Sequence, residues 1–303
     1  MPDSFRRRLP SRIDALDQDL RSLRVVRIDS SPLRHFYLTL AYDGSAFEGW
    51  QRQKRTPRTV QGLLETVLER ILVQKVAVRG AGRTDSGVHA LGQRAAFSAR
   101  SRIPCAGLQR ALNSLLPETV RAIEAGECDG PVEPLKITDR KTYFYQVHVG
   151  TILPPHRRPY FALGGPFLDV GAMRSAAVIL QGNHDFSAFV SAAPGRRSST
   201  RNLMRIRVQR IKNGVRLFFT GSGFLYRMVR TLSAALIEVG RRNWTLERLQ
   251  QALRSRDRSK GPATAPAQGL FLYRVDWHLP RRTARPSSAR QSLLPSSTRE
   301  GDS

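Results

Sequence analysis

Eleven residues, Gly80-Ala81-Gly82-Arg83-Thr84-Asp85-Ser86-Gly87-Val88-His89-Ala90, set one carboxylate between an arginine and a glycine-rich turn. A carboxylate so placed can act as a nucleophile, a stabiliser of developing positive charge or a base. Glycines at 80, 82 and 87 allow tight backbone geometry and close approach of a ligand. Lys75-Val76-Ala77-Val78-Arg79 before this segment alternates like a strand, and Gln93-Arg94-Ala95-Ala96-Phe97 after it reads as another. Asp85 is therefore expected on a loop between strands, where scaffolds commonly carry reactive groups. Thr84-Asp85-Ser86-Gly87 is equally a good turn, and an Asp in a turn ordinarily bonds its own backbone. On residue type and spacing alone, the plain turn reading prevails.

The elements that must position Asp85 fall into two halves, 35–158 and 159–279. In the first half, Phe36 to Tyr42 alternates as a strand. Val60, Leu63, Leu64, Val67, Leu68, Ile71 and Leu72 form an apolar helical stripe that Thr59 can cap. Leu108, Leu112 and Leu115 mark a second helix, Val120 to Ala125 a strand, and Lys141 to Val149 a long strand with Tyr143 and Tyr145 on one face. In the second half, Asp169 can cap a helix ending at Leu180, and Asn213-Gly214 between two strand-like runs signals a hairpin. Phe224 to Gly240 and Thr245 to Leu253 read as helices, and Leu270 to Trp277 as a closing strand. The mixture is α+β, with antiparallel strands and two helices in each half. An extension at 1–34 is charged, with a short helix expected around Ile13 to Leu23, and 280–303 reads as a disordered basic tail rich in Pro, Ser and Arg.

Lys and Arg total 50 against 24 Asp and Glu in 303 residues, a formal charge of +26. A polyanion such as a nucleic-acid backbone is the natural partner for such a surface. An Arg-rich composition with no specific partner is the plainer alternative. Arginine also forks onto phosphate and stacks on bases. No apolar run approaches a membrane span, so no membrane role is expected. Cys105 and Cys128 are the two cysteines; they suit a reducing cytosol and form neither a disulfide framework nor a metal site. The histidines are scattered without ligand spacing, so no metal is expected.

The segment GRTDSGVHA followed by GQRAAF resembles the signature of the TruA family of tRNA pseudouridine synthases, in which GRTDAGVHA is usual. YLTLAYDGSAFEGWQRQ at 37–53, TVQGLL at 59–64, NHDFSAF at 183–189, GFLYRMVRTLSAALIEVG at 223–240 and APAQGL at 265–270 resemble further family motifs, in the family's order. The resemblance runs from Phe36 to Trp277. It implies two ferredoxin-like α/β halves joined through one continuous, mostly antiparallel sheet with a central cleft. The implied activity is isomerisation of uridine to pseudouridine in the anticodon stem-loop of tRNA, in the cytoplasm, by a homodimer and without a cofactor.

The resemblance also assigns roles. Asp85 is the catalytic carboxylate, Arg230 its partner arginine and Tyr143 the active-site tyrosine offering a flat surface to a flipped uracil. Phe224 and Leu225 line the same cleft. Arg83 holds the target nucleotide out of its helix, and Arg52, Arg94, Arg196, Arg197 and Arg201 are candidate phosphate contacts. His89 reads as structural. Ser86 stands for the usual Ala, Thr231 for the usual Asn after the partner arginine, and Ala234 for a usual Gly. Val132 to Lys136 departs further, with Leu135 where the family often has Arg. Two rivals share these residues. A noncatalytic RNA-binding protein on the same scaffold would not need Asp85, Tyr143 and Arg230 together. A nucleosidase would need a second carboxylate, and the one nearby, Asp43, reads as the turn of Tyr42-Asp43-Gly44.

Overall fold

The computed structural model describes residues 31–191 and 198–279. The helix expected near Ile13 to Leu23, the tail after 279, Arg196 and Arg197 lie outside the described residues. One ten-stranded sheet runs through the molecule. Its first half holds β1 (Leu33–Tyr42), β2 (Arg79–Gly80), β3 (His89–Arg100) and β4 (Val120–Cys128), with helices α1 (Val60–Leu72) and α2 (Cys105–Leu115). Then follow β5 (Thr138–His148), β6 (Ala162–Leu163), α3 (Val170–Leu180), β7 (Gly182–Asp185), β8 (Thr200–Ile211) and β9 (Gly214–Gly221). The order closes with α4 (Met228–Gly240), α5 (Leu246–Ser255) and β10 (Leu270–Trp277).

The spatial strand order is β4-β1-β3-β10-β5-β9-β8-β7, with β2 against β3 and β6 against β5. Pairing is antiparallel except for β3 with β10 and β5 with β6. The two halves thus join at a short parallel contact, Phe271 with His89 and Leu272 with Ala90. This is the α+β fold with a continuous, mostly antiparallel sheet. β5, which the sequence division counts in the first half, hydrogen-bonds to β9 and β10.

The elements form where periodicity and caps place them. Thr59, Asp169 and Thr245 each accept a backbone N–H at the start of a helix, a contact that stabilises a helix by about 1 kcal/mol. Leu64, Leu68, Leu108 and Leu112 are fully buried against the first half. Met228, Leu232, Leu236 and Val239 of α4 are buried in the second. Each large apolar side chain so buried contributes about 1.5–3 kcal/mol.

Three local expectations are corrected. Lys75 to Arg79 is not a strand, and only Arg79–Gly80 pairs with β3. Side chains of α1 take the backbone of Val78 instead: its N–H donates to Glu65 Oε1 at 3.0 Å, and its carbonyl accepts from Gln61 Nε2 at 2.9 Å. Helix α4 begins at Met228 rather than Phe224, because Arg227 takes the left-handed conformation with φ 58°. The hairpin loop is Lys212-Asn213, one residue earlier than expected. Asn213 supplies the positive φ of 54°, and Gly214 already pairs with Ile211.

Candidate active site

From β2 the chain passes through a loop at 81–88 that is tied down on every side. Ala81 N–H donates to Arg94 O at 2.8 Å, Gln93 Nε2 to Gly82 O at 2.7 Å and Trp50 N–H to Thr84 O at 3.0 Å. Tyr42 Oη and Thr84 Oγ1 share a hydrogen bond of 2.9 Å. Two glycines make this packing feasible. A Cβ on Gly80 would stand 2.6 Å from the Trp50 ring. One on Gly49, which has φ +96°, would stand 2.7 Å from Thr84 O.

Asp85 opens a turn closed by Val88 N–H donating to Asp85 O at 3.1 Å, with Gly87 at φ +75°. That is the position where a type II turn calls for glycine. The turn does not consume the carboxylate. Gly87 N–H and Ser86 Oγ both donate to Phe47 O at 3.3 Å. Asp85 Oδ2 instead accepts from Arg230 Nη1 at 3.1 Å, across 145 residues of chain. Arg230 lies in the first turn of α4, and its Nε donates to Ala265 O at 2.8 Å. Tyr145 Oη donates to Pro266 O at 2.9 Å, so the Ala265-Pro266-Ala267 segment is fastened to β5 while it braces the arginine. The two side chains are 13% and 21% exposed, Arg230 the less.

Asp85 faces a cleft of about 660 Å³. Trp50, Gln51 and Gln61 line it beside Arg83 and Thr84; β5 contributes Lys141 and Tyr143; Phe224 to Val229 and Leu270 complete the wall. Phe224 stands edge-on to the Tyr143 ring, centroids 5.0 Å apart. Tyr143 is buried, and burial first, then the neighbouring Tyr42 and Asp85, pushes its phenol up from the ordinary value. It therefore stays protonated at neutral pH. Lys141, two positions before Tyr143 on the same face of β5, is 6% exposed. Burial brings its ammonium down to about 8.

The structure brings Asp85, Arg230, Tyr143, Arg83, Phe224 and Leu225 together. The other predicted contacts are not part of the cleft lining. Arg52 is exposed and pairs with Glu65 at 3.2 Å beside the cleft residues Gln51 and Gln61. Arg94 donates to Thr39 Oγ1 at 2.6 Å and Glu124 Oε2 at 2.8 Å and packs over the Trp277 ring, away from the cleft lining. Arg201 donates to Ser198 O and Thr200 O at the start of β8.

His89 is buried and stacked on Phe271. Its Nδ1 accepts from Gly44 N–H at 3.1 Å, which leaves Nε2 to donate to Pro159 O at 2.9 Å. The ring is thus a neutral structural group, and its 3.2 Å approach to Asp43 is not an ion pair. Burial is the main cause that draws its pKa below the ordinary value. Asp43 accepts from Ser45 N–H and Oγ and from Tyr160 Oη, which makes it a turn residue. Cys128 is buried, and its thiol is pushed up to about 11. No cluster of three or more His, Cys, Asp or Glu suited to a metal occurs among the described residues. Among them, no helix is long and apolar enough to cross a membrane.

A family model described as tRNA pseudouridine synthase matches residues 39–131 and 176–278. tRNA pseudouridine synthase A of Moorella thermoacetica is 41% identical over 244 residues, covering 79% of this chain and 98% of that protein. The chain belongs to the tRNA pseudouridine synthase A (TruA) family. Its relative in Thermotoga sp. (strain RQ2) is 40% identical over 238 residues, 78% of this chain and 96% of that protein. tRNA pseudouridine synthase A 1 of Desulfotalea psychrophila is 35% identical over 250 residues, 80% of this chain and 99% of that protein. The chain is accordingly an isomerase that modifies tRNA.

The matched segments contain Asp85 and Arg230, whereas Lys141 and Tyr143 fall between them. Thr231, in place of the family's usual Asn, is fully buried and returns its hydroxyl to Arg227 O at 3.2 Å. In the departing stretch, Glu133 pairs with Arg79, and Glu133, Pro134 and Leu135 line the cleft. Sequence reasoning missed Lys141, Trp50 and Gln61 as lining residues. Strand alternation alone could have flagged Lys141, since it shares the inward face of Tyr143 and Tyr145.

Proposed function

We propose that this enzyme converts uridine to pseudouridine in the anticodon stem-loop of tRNA, with Asp85 as the nucleophilic carboxylate, Arg230 as its positioning partner and Tyr143 as a wall for the flipped base. The observation that carries the reading is the Asp85 side chain itself. Its own turn leaves it unused, and a guanidinium from helix α4 in the other half of the molecule holds it at the cleft. In this reading, an Asp85 oxygen bonds to C1′ of the ribose as the N1–C1′ bond breaks and the uracil leaves with the electron pair. The base then turns, C5 bonds to C1′, and the carboxylate departs. The proton lost from C5 is balanced by one gained at N1. Atoms and oxidation state are conserved, so the reaction calls for no redox partner and no second substrate.

Each side chain has a part in that sequence. Arg230 fixes one carboxylate oxygen and leaves the other to approach C1′. The protonated Tyr143 adds no charge near Asp85. Arg83 sits on the cleft wall where the extruded strand enters, and Arg52 lies close by. Arg94 is committed to Glu124 and fits a structural role better. Action as a homodimer and in the cytoplasm belong to the same reading and rest on the family alone.

Asp85→Asn tests the assignment. Tritium release from tRNA labelled at uridine C5 is expected to fall to background while tRNA affinity stays within about twofold, because shape is kept and only the nucleophile goes. Near-normal release by this variant would remove Asp85 from the chemistry. Mapping pseudouridine in the product tRNA reads out the anticodon stem-loop assignment separately.

A further inference from the structure

The chemistry proposed above makes no use of Lys141. The Lys141 residue is buried, 6% exposed, its side chain lines the same cleft as Asp85, and it makes no hydrogen bond or ion pair among the described residues. We infer that Lys141 contacts the substrate, taking a phosphodiester of the RNA strand next to the flipped uridine; the inference rests on the proposed function.

Three observations lead there. A buried charge without a counter-charge is costly and is seldom kept without use. The carboxylates lining the cleft are both taken, Asp85 by Arg230 and Glu133 by Arg79. The cations Lys141, Arg83 and Arg227 remain as an excess on the cleft wall, so what the site lacks is an anion. Room for the lysine is also built in. A Cβ at Gly82, three residues before Asp85, would stand 3.2 Å from Nζ and 3.4 Å from Cε. The glycine leaves the lysine its passage beneath the catalytic loop.

The RNA supplies the anion in the right place. When C1′ of the flipped nucleotide meets Asp85, the phosphodiesters on either side of that ribose are drawn in with it. A uracil carbonyl is a neutral acceptor and rewards a buried ammonium less than a charged phosphate does. Two residues along a strand span about 6.4–6.8 Å. Lys141 is therefore set one nucleotide's breadth from the Tyr143 wall.

The test is a cycle between protein and RNA. Stem-loop RNAs carry a single neutral methylphosphonate on the 5′ or the 3′ side of the target uridine, and binding is measured for the wild type and for Lys141→Met. One of the two neutral linkages is expected to weaken the wild type about tenfold or more. Lys141→Met should lose a similar factor on unmodified RNA and nothing further on the modified one. Its plot of log affinity against log salt should be shallower by about 0.7, one single-strand phosphate. Its melting temperature should equal or exceed that of the wild type, which a merely structural lysine would not allow. Lys141→Gln serves in the same cycle if the methionine variant does not fold.

The inference is overturned if neither linkage matters to the wild type, or if each costs wild type and variant the same factor. Tritium release by the wild type on unmodified RNA separates this from the wider reading. No release there would sink the proposed function, whereas release with an additive cycle would sink the lysine contact alone.

Discussion

Replacing Arg230 is the sharpest perturbation of the proposed chemistry. Arg230→Met removes the charge and keeps most of the aliphatic stem. The pair is a single hydrogen bond of 3.1 Å between side chains 13% and 21% exposed. Unit charges about 4 Å apart at an effective dielectric near 20 interact by about 4 kcal/mol. The contact is one-pronged and Asp85 keeps some access to water, so about 2–4 kcal/mol of positioning energy is at stake. If that energy is realised in the transition state, the single-turnover rate falls about 30- to 1,000-fold. Arg230→Lys keeps the charge but cannot serve Asp85 Oδ2 and Ala265 O from one planar fork. It should therefore fall between wild type and Arg230→Met. The assay is single-turnover tritium release at saturating tRNA, with melting temperature as the folding control. A folded Arg230→Met that turns over within about threefold of wild type would refute the positioning role.

Three further outcomes follow from the same geometry. Tyr143→Phe should keep most of the binding, while Tyr143→Leu, which removes the ring, should weaken substrate by about 1–3 kcal/mol; equal affinities in a titration would remove the ring from recognition. Gly49→Ala places a Cβ against Thr84 O in a left-handed backbone, so it should cost at least about 1–2 kcal/mol of stability and also slow turnover by moving the Asp85 loop. Normal melting and a normal rate for that variant would show that the loop is not pinned there. Burial holds His89 below its ordinary value, so between that lowered value and about pH 6.5 the unfolded chain binds a proton that the native one refuses. Stability should fall as pH drops below about 6.5, and His89→Gln should flatten that fall in urea unfolding at pH 7.5 and 5.5. An unchanged difference between the two pH values would assign the acid sensitivity to carboxylates instead.

Much of this architecture was legible in the chain. The stripe from Val60 to Leu72 with Thr59 before it, and Asp169 before Val170, became the helices and caps their patterns promise. Tertiary contacts overrode local pattern at Val78, whose backbone is taken by Gln61 and Glu65 side chains that no strand template anticipates. At Phe224 to Arg227, apolar spacing suggested helix, but a left-handed Arg227 holds the segment open beside Tyr143. Spacing said nothing about Asp85 meeting Arg230; that contact was expected only because the motifs resemble a known family. Arg94 lies outside the cleft lining. An arginine next to a reactive loop invites an RNA role, yet cross-strand pairing on the far side of β3 hands it to Glu124.

The place of β10 bears on how the enzyme comes into being. In chain order it is the last strand of the described residues, yet it lies mid-sheet between β3 and β5. On the ribosome, Asp85 and Arg230 are both made before the strand that joins their halves. Until Leu270 to Trp277 emerges, β3 and β5 each present an open edge that invites wrong pairing. A nascent chain or a fragment ending before Leu270 holds every residue assigned to the chemistry but not the strand between their halves. Only when β10 has paired with β3 on one side and β5 on the other is the sheet continuous between the Asp85 loop and the half that carries Arg230.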